Sequence, residues 1–256
     1  MFYFLLAPSL IYHWLLVVAA VVPAIFLMIR VYRSDRLEKE SPATLWRMAL
    51  GGIIAALIAL VSERLLGLLL DLFVDEADPV YNIILYFFIV AGSEEGAKFF
   101  MLRRRSWNLT EFNCQYDGVV YAVFVSLGFA LWENISYVLH YGFTTALVRA
   151  LTAIPGHACF GVFMGIFYGL ARGYAMLGEN GKAKVMQVLA VALPALLHGV
   201  YDYVATVDST PGQIVFIVFV AVLFTVSFLL VGHLSKKDRY FKHDKNTFYF
   251  DGKTFR

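Results

Sequence analysis

Charge is what this sequence has least of. Asp, Glu, Lys and Arg make up 16% of its 256 residues, where a soluble domain keeps about a quarter charged to solvate its surface. That shortage, with 60% hydrophobic residues and a mean hydropathy of +0.70, excludes a water-soluble globule, a disordered tail and a nucleic-acid-binding module. Cysteine is nearly absent. Cys114 lies in a polar loop and Cys159 in an apolar run, which supports neither a disulfide framework nor a cysteine-rich zinc site. No internal repeat, Gly/Ser linker or low-complexity tract divides the chain. The first apolar run lacks a basic start and a small-residue cleavage site, so it reads as a retained anchor.

Long apolar runs are what the sequence has instead. Crossing about 30 Å of hydrocarbon takes about 20 mostly apolar residues, and seven stretches qualify: 8–29, 45–70, 80–102, 118–140, 149–171, 185–206 and 212–234. The expected fold is an all-α membrane protein, a polytopic bundle of about seven transmembrane helices. Residues 1–234 form the integral membrane domain, with a motif-bearing core at 80–206, and 235–256 a basic cytoplasmic tail. Residues 62–78 are ambiguous. Ser62, Glu63 and Arg64 interrupt the second run and Asp71, Asp75, Glu76 and Asp78 follow, which leaves open whether part of this stretch lies along the interface.

Basic residues set the orientation, because cytoplasmic connections collect Lys and Arg. Arg30, Arg33, Arg36, Lys39 and Arg47 follow span one, Arg103, Arg104 and Arg105 span three, and Arg172, Lys182 and Lys184 span five. With Lys236, Lys237, Arg239, Lys242, Lys245, Lys253 and Arg256 in the tail, eighteen of the 21 basic residues fall on one side. Arg64 and Arg149 fall on the other, and Lys98 lies within a span. The expectation is a multi-pass protein of the cell membrane, N-terminus outside and C-terminus cytoplasmic.

Function is sought where the bilayer holds something costly, since an ionisable group at its centre costs about 2.5–3.5 kcal/mol on insertion scales. Span three carries Glu94, Glu95 and Lys98, span four Glu133 and Asn134, span five His157, and span six His198 and Asp202, with Asp117 at an inner boundary. Glu94 and Lys98 share a helical face while Glu95 points about 100° away, so one carboxylate is expected to be neutralised locally and the other left free. His157 follows Pro155 and His198 follows Pro194; each proline removes a backbone donor and opens its helix near a histidine. His157, Gly161, Gly165 and Gly169 recur every four residues, a small-residue stripe for close helix packing. His198 and Asp202 repeat that spacing, so the carboxylate can orient the ring. A single buried histidine is ordinarily bonded to a backbone carbonyl, and buried Glu–Lys pairs ordinarily lock helix positions. Two histidines beside three glutamates at similar depth point to a site.

A carboxylate that takes a proton from water, a histidine that assists it and donors for an oxyanion are the minimum parts for amide hydrolysis. His157, His198 and a glutamate are alternatively a zinc set with water in the fourth position; without a His-Glu-x-x-His those ligands would come from separate helices. Other intramembrane chemistries lack their parts. Ser93 has no Gly-x-Ser-Gly, Cys159 points to the face opposite His157, and Asp117 and Asp202 sit in Tyr-Asp pairs without a Gly-x-Gly-Asp.

Glu94-Glu95-Gly96-Ala97-Lys98 resembles the Glu-Glu-x-x-Lys motif of the PrsW intramembrane proteases, within the wider CAAX-prenyl-protease-like membrane group. Phe129-Ala130-Leu131-Trp132-Glu133-Asn134 is similar to the family's Phe-x-x-x-Glu-Asn, and the run from His157 to Gly169 and His198-Gly199-Val200-Tyr201-Asp202 are similar to its two histidine helices. The four motifs lie in order over residues 92–202. The resemblance implies an endopeptidase that cuts a membrane-anchored, single-span protein, in bacterial members an anti-sigma factor whose cleavage leads to release of a sigma factor. It also implies glutamate-activated water, as in the CAAX relatives. Those relatives have histidine at the place of Glu133 and asparagine at that of Asp202, so Asp202 is expected to orient His198. The expected site is Glu94 or Glu95 as base, completed by Glu133, His157 and His198 and supported by Lys98, Asn134 and Asp202. No cofactor is favoured, although zinc fits the residue types, and the partners are the lipid bilayer and the protein substrate, with no nucleic acid. A non-catalytic scaffold subunit and a polar-cavity transporter are the competing readings. The transporter lacks the paired repeats and broken helices of such folds.

Overall fold

The computed structural model describes residues 2–241 and two short strands, Phe248–Phe250 and Lys253–Phe255, which pair antiparallel; side chains are described from residue 10 to 241. Of the basic tail, Lys242, Lys245 and Arg256 lie outside the described residues. Everything else of regular structure is helical, arranged as a polytopic membrane bundle.

Among the described residues, six stretches are long and apolar enough to cross a bilayer. They are Leu10–Ser34 within α1 (Phe2–Ser34), α2 (Pro42–Phe73), α5 (Gln115–Tyr141), the pair α6 (Phe143–Leu151) and α7 (Ala153–Met176), α8 (Asn180–Ala205) and α9 (Thr210–Lys237). The remaining passage runs from α3 (Pro79–Ile83) through a π-helical stretch, Ile84–Val90, into α4 (Ala91–Ser106). It falls short of the six in apolarity because α4 holds Glu94, Glu95, Lys98 and three arginines.

Local chemistry sets the boundaries. Ser41 caps α2 by accepting from the Thr44 amide, Asp78 caps α3 by accepting from Val80, and Ser209 caps α9 by accepting from Gly212, each with proline in the first turn. Asp117 accepts from the Asn113 and Cys114 amides at 2.9 and 2.7 Å and so closes the start of α5. Two boundaries differ from the sequence expectation. Ser62, Glu63 and Arg64, where the sequence left the course of the chain open, do not interrupt the second helix; α2 continues unbroken to Phe73. The chain does not enter the fifth passage at 149 either, because Gly142, at φ 83°, ends α5 and starts the nine-residue α6, which breaks at Thr152. Only glycine takes that left-handed conformation without strain. Pro155 falls in the first turn of α7, where amides lack intrahelical partners anyway, so it does not open the helix. Pro194 is interior to α8 and does deprive the Ala190 carbonyl of its partner.

Successive passages alternate so that the basic ends meet. The Ser235 hydroxyl donates to the Ser34 carbonyl, Arg105 donates to the Arg47 carbonyl at 2.9 Å, and the Phe241 amide donates to Asn113 at 2.8 Å. These contacts gather the ends of α1, α4 and α9 with the starts of α2 and α5. At this end burial, with Asp117 alongside, pushes the Glu40 carboxyl up to about 9.

α5 is the hub, buried over most of its length, whereas α1, α2 and α9 expose Leu15, Phe26, Leu68, Leu72, Phe228 and Leu229 to the surroundings. Such apolar exposure is the lipid-facing surface of a bundle. The α5–α7 contact depends on the glycine stripe. A Cβ on Gly161 would sit 2.9 Å from Ser126 Cβ, and one on Gly165 would run into the Gly118–Val119 backbone. Gly165→Leu is therefore expected to lower stability by about 1–3 kcal/mol or more through overpacking, read as a drop in detergent melting temperature. An unchanged melt would mean that the two helices are not held this closely.

Candidate active site

Lys98 is fully buried at the centre of the bundle. Its ammonium donates to Glu94 Oε2 at 3.1 Å, Glu95 Oε1 at 2.8 Å and His157 Nδ1 at 3.1 Å, so its three hydrogens have three acceptors. It also stands 4.0 Å from the centre of the Phe129 ring. Glu95 is thus not left free, as the 100° separation from Glu94 suggested. A lysine can reach back three residues as well as four, and here it bridges both carboxylates.

Each histidine links two elements. Because Lys98 donates to Nδ1 of His157, the ring carries its hydrogen on Nε2 and donates to Glu133 Oε2 at 2.8 Å. Its ring edge meets Phe160, and its backbone carbonyl accepts from the Ser126 hydroxyl at 2.6 Å, fixing α7 to α5. His198 Nδ1 faces Glu95 Oε1 at 3.0 Å, and its Nε2 faces Asp202 Oδ2 at 3.3 Å. Phe160 stacks on it with ring centres 4.7 Å apart. Asp202 thus meets the ring from one turn further along α8. The π-helical stretch precedes Glu94 and packs against α8, where Gly199 leaves room for Phe87.

Four helices, α4, α5, α7 and α8, therefore deliver Glu94, Glu133, His157 and His198 to one cavity of about 450 Å³. Glu94 and Asp202 line it, whereas Glu95 lies behind, wholly buried, with Oε2 lacking a hydrogen-bond partner among the described residues. A larger groove of about 780 Å³ between α1, α7 and α9 holds none of these groups.

Two charged lining residues were not on the sequence-derived site. Arg149, which the charge count put on the outer side at the start of the fifth span, reaches in from α6 to Glu133 Oε2 at 3.0 Å and donates to Asn134 Oδ1 at 2.9 Å. Asn134 itself is fully buried and donates to the Ala20 carbonyl at 3.0 Å, so it holds Arg149 and α1 rather than facing the cavity. Glu63, in the stretch left ambiguous, lines the cavity from α2. Its one available signal was an acid at the far end of an apolar run.

A buried acid–histidine–lysine cluster enclosed by apolar helices defines a polytopic membrane protein with the parts of an intramembrane hydrolase. Residues 40–231 match the sequence profile of the PrsW family intramembrane metalloproteases. The chain is 30% identical over 235 residues to Protease PrsW of Clostridioides difficile, covering 90% of this chain and 93% of that protein. It is 33% identical over 224 residues to Protease PrsW of Halalkalibacterium halodurans, with 88% and 99% covered. With Protease PrsW of Bacillus subtilis it shares 43% identity over 114 residues, 44% of this chain and 50% of that one. No solved structure matches it. The chain belongs to the PrsW family of intramembrane proteases.

The family description names a metal. Glu94, Glu95 and His157 each offer a donor atom, all within 4.8 Å of one another. His198 is not among them, so these are not the two histidines and one glutamate that the sequence suggested; both its nitrogens face carboxylates. The Lys98 ammonium stands within 3.1 Å of all three donors. A divalent ion among them would meet a fixed positive charge at contact distance, poorly screened in a buried site. With Lys98 so placed, this donor set does not fit a metal.

Proposed function

We propose that the protein is an endopeptidase that cleaves a single-span membrane protein, with water activated by Glu94 rather than by a metal. The observation that carries this reading is the convergence of Glu94, Glu133, His157 and His198 on one cavity within the bundle. Glu94 faces the open space, while Glu95 is occupied in ordering Lys98 and His198. Glu94 takes a proton from water as the hydroxide adds to the scissile carbonyl, and returns it to the amide nitrogen as the C–N bond breaks. The Arg149 guanidinium on the cavity wall, whose Nη2 makes no hydrogen bond among the described residues, is available to the developing oxyanion. Lys98 holds the two glutamates against their mutual repulsion.

The family resemblance supports an anti-sigma-factor-like substrate. The gathering of basic residues at one end supports a cell-membrane protein with that end in the cytoplasm.

Purified protein in liposomes is expected to cut a single-span substrate and to go on cutting it in a zinc-selective chelator, with well under about one zinc per chain. Stoichiometric zinc whose removal stops cleavage, and whose return restores it, would reassign Glu94, Glu95 and His157 as ligands. Orientation has its own check. Single cysteines placed near Arg104 and Lys236 are expected to label only from the cytoplasm, and those near Glu76 and Asp208 only from outside; the reverse pattern removes the extracytoplasmic substrate.

A further inference from the structure

A second group of acids lies far from the cavity, at the basic end of the bundle. Asp35 ends the turn after α1, Glu40 precedes α2 and Asp117 opens α5; their exposures are 3%, 4% and 2%. One oxygen from each lies within 4.8 Å of the others. Glu40 accepts from the Tyr121 hydroxyl at 2.5 Å, and Asp117 from two backbone amides.

Asp35 is different. Neither of its oxygens has a hydrogen bond of good geometry among the described residues, although the Leu37 and Glu38 amides lie nearby. The cation that acts on it, Lys39, is turned away and donates to the Tyr32 and Asp35 carbonyls. A buried carboxylate left without a partner is costly, and three together are more so. Protons shared between Glu40 and Asp117 would relieve that pair but leave Asp35 as it is. One hard cation would satisfy all three. Oxygens on opposite sides of such an ion stand about 4.8 Å apart at a metal–oxygen distance of about 2.4 Å, and one oxygen from each of the three acids lies within that limit of the others.

We propose that Asp35, Glu40 and Asp117 bind one hard divalent cation, of the calcium or manganese class, which ties the α1–α2 turn to the start of α5. The ligands are all oxygen, the preference of such ions rather than of zinc. The ion is structural and stands apart from the cavity that holds Glu94.

Manganese and calcium are the probes, applied to the full-length protein in detergent. Electron paramagnetic resonance titration is expected to show about one bound Mn²⁺ per chain, displaced by Ca²⁺. Asp35→Asn and Glu40→Gln are each expected to weaken Mn²⁺ binding by roughly tenfold or more, whereas Glu94→Gln leaves it unchanged. Melting provides a second measure. Either ion is expected to raise the melting temperature of the wild type but not of the Asp35→Asn, Glu40→Gln double variant, and without ions that variant melts no lower than the wild type. Absence of binding, or binding that survives both substitutions, overturns the proposal. So does binding lost in Glu94→Gln, which would put the ion in the catalytic cavity.

Discussion

Glu94→Gln is expected to lower kcat by about a hundredfold to ten-thousandfold, the usual contribution of a general base, with KM and melting temperature nearly unchanged. Gln keeps the shape of the side chain and loses only its basicity. Lys98 retains Glu95 at 2.8 Å as its closer acid partner, so the buried charge stays compensated. Glu95→Gln is expected to differ. It removes the partner of both Lys98 and His198, and so should cost stability together with activity. The split between the two variants is the informative result, because a site that was only a structural ion network would lose stability in both and show no separate effect on kcat. Full activity in Glu94→Gln would exclude Glu94 as the base.

Lys98→Met is expected to destabilise the protein by about 3–5 kcal/mol, because it strips the cation from buried carboxylates while filling the same volume. Glu94 and Glu95 would then repel one another with no ammonium between them, and His157 would lose the donor on Nδ1. Adding Glu95→Gln to Lys98→Met should recover part of the stability, since one uncompensated charge has gone, without recovering cleavage. Detergent unfolding of the wild type, both single variants and the double measures this coupling. Additive losses would mean that Lys98 and Glu95 act independently, contrary to their contact.

Much of this was legible in the sequence, for identifiable reasons. Long apolar runs gave the passages, and costly groups within them gave Glu94, Glu95, Glu133, His157, His198, Lys98 and Asp202, because the bilayer makes every ionisable group conspicuous. Spacing within one helix paired Lys98 with Glu94 and His198 with Asp202. What spacing cannot supply is which helices are neighbours. Arg149 counted only as an outer-side charge at the start of a span until α6 turned it toward Glu133, and Glu63 stood in a stretch whose course was open until α2 continued past it. Asn134 was grouped with the site by its place in a motif, yet its neighbours are Ala20 and Arg149. The π-helical stretch has no periodicity signal of its own. It is an apolar run like any other, Ile84 to Val90, and only packing against α8 distinguishes it.

The passage from Pro79 to Ser106 carries the proposed base yet is the one least suited to lipid. Its partitioning into the bilayer is opposed by Glu94, Glu95 and Lys98, each costing about 2.5–3.5 kcal/mol there. Lys98 and the two acids offset one another within a single turn, but the excess negative charge waits for His198, more than a hundred residues further along the chain. That contact is therefore made only after α8 has been synthesised. The contacts that bring the proposed reacting groups together are thus also among the last that this passage acquires as the chain is made.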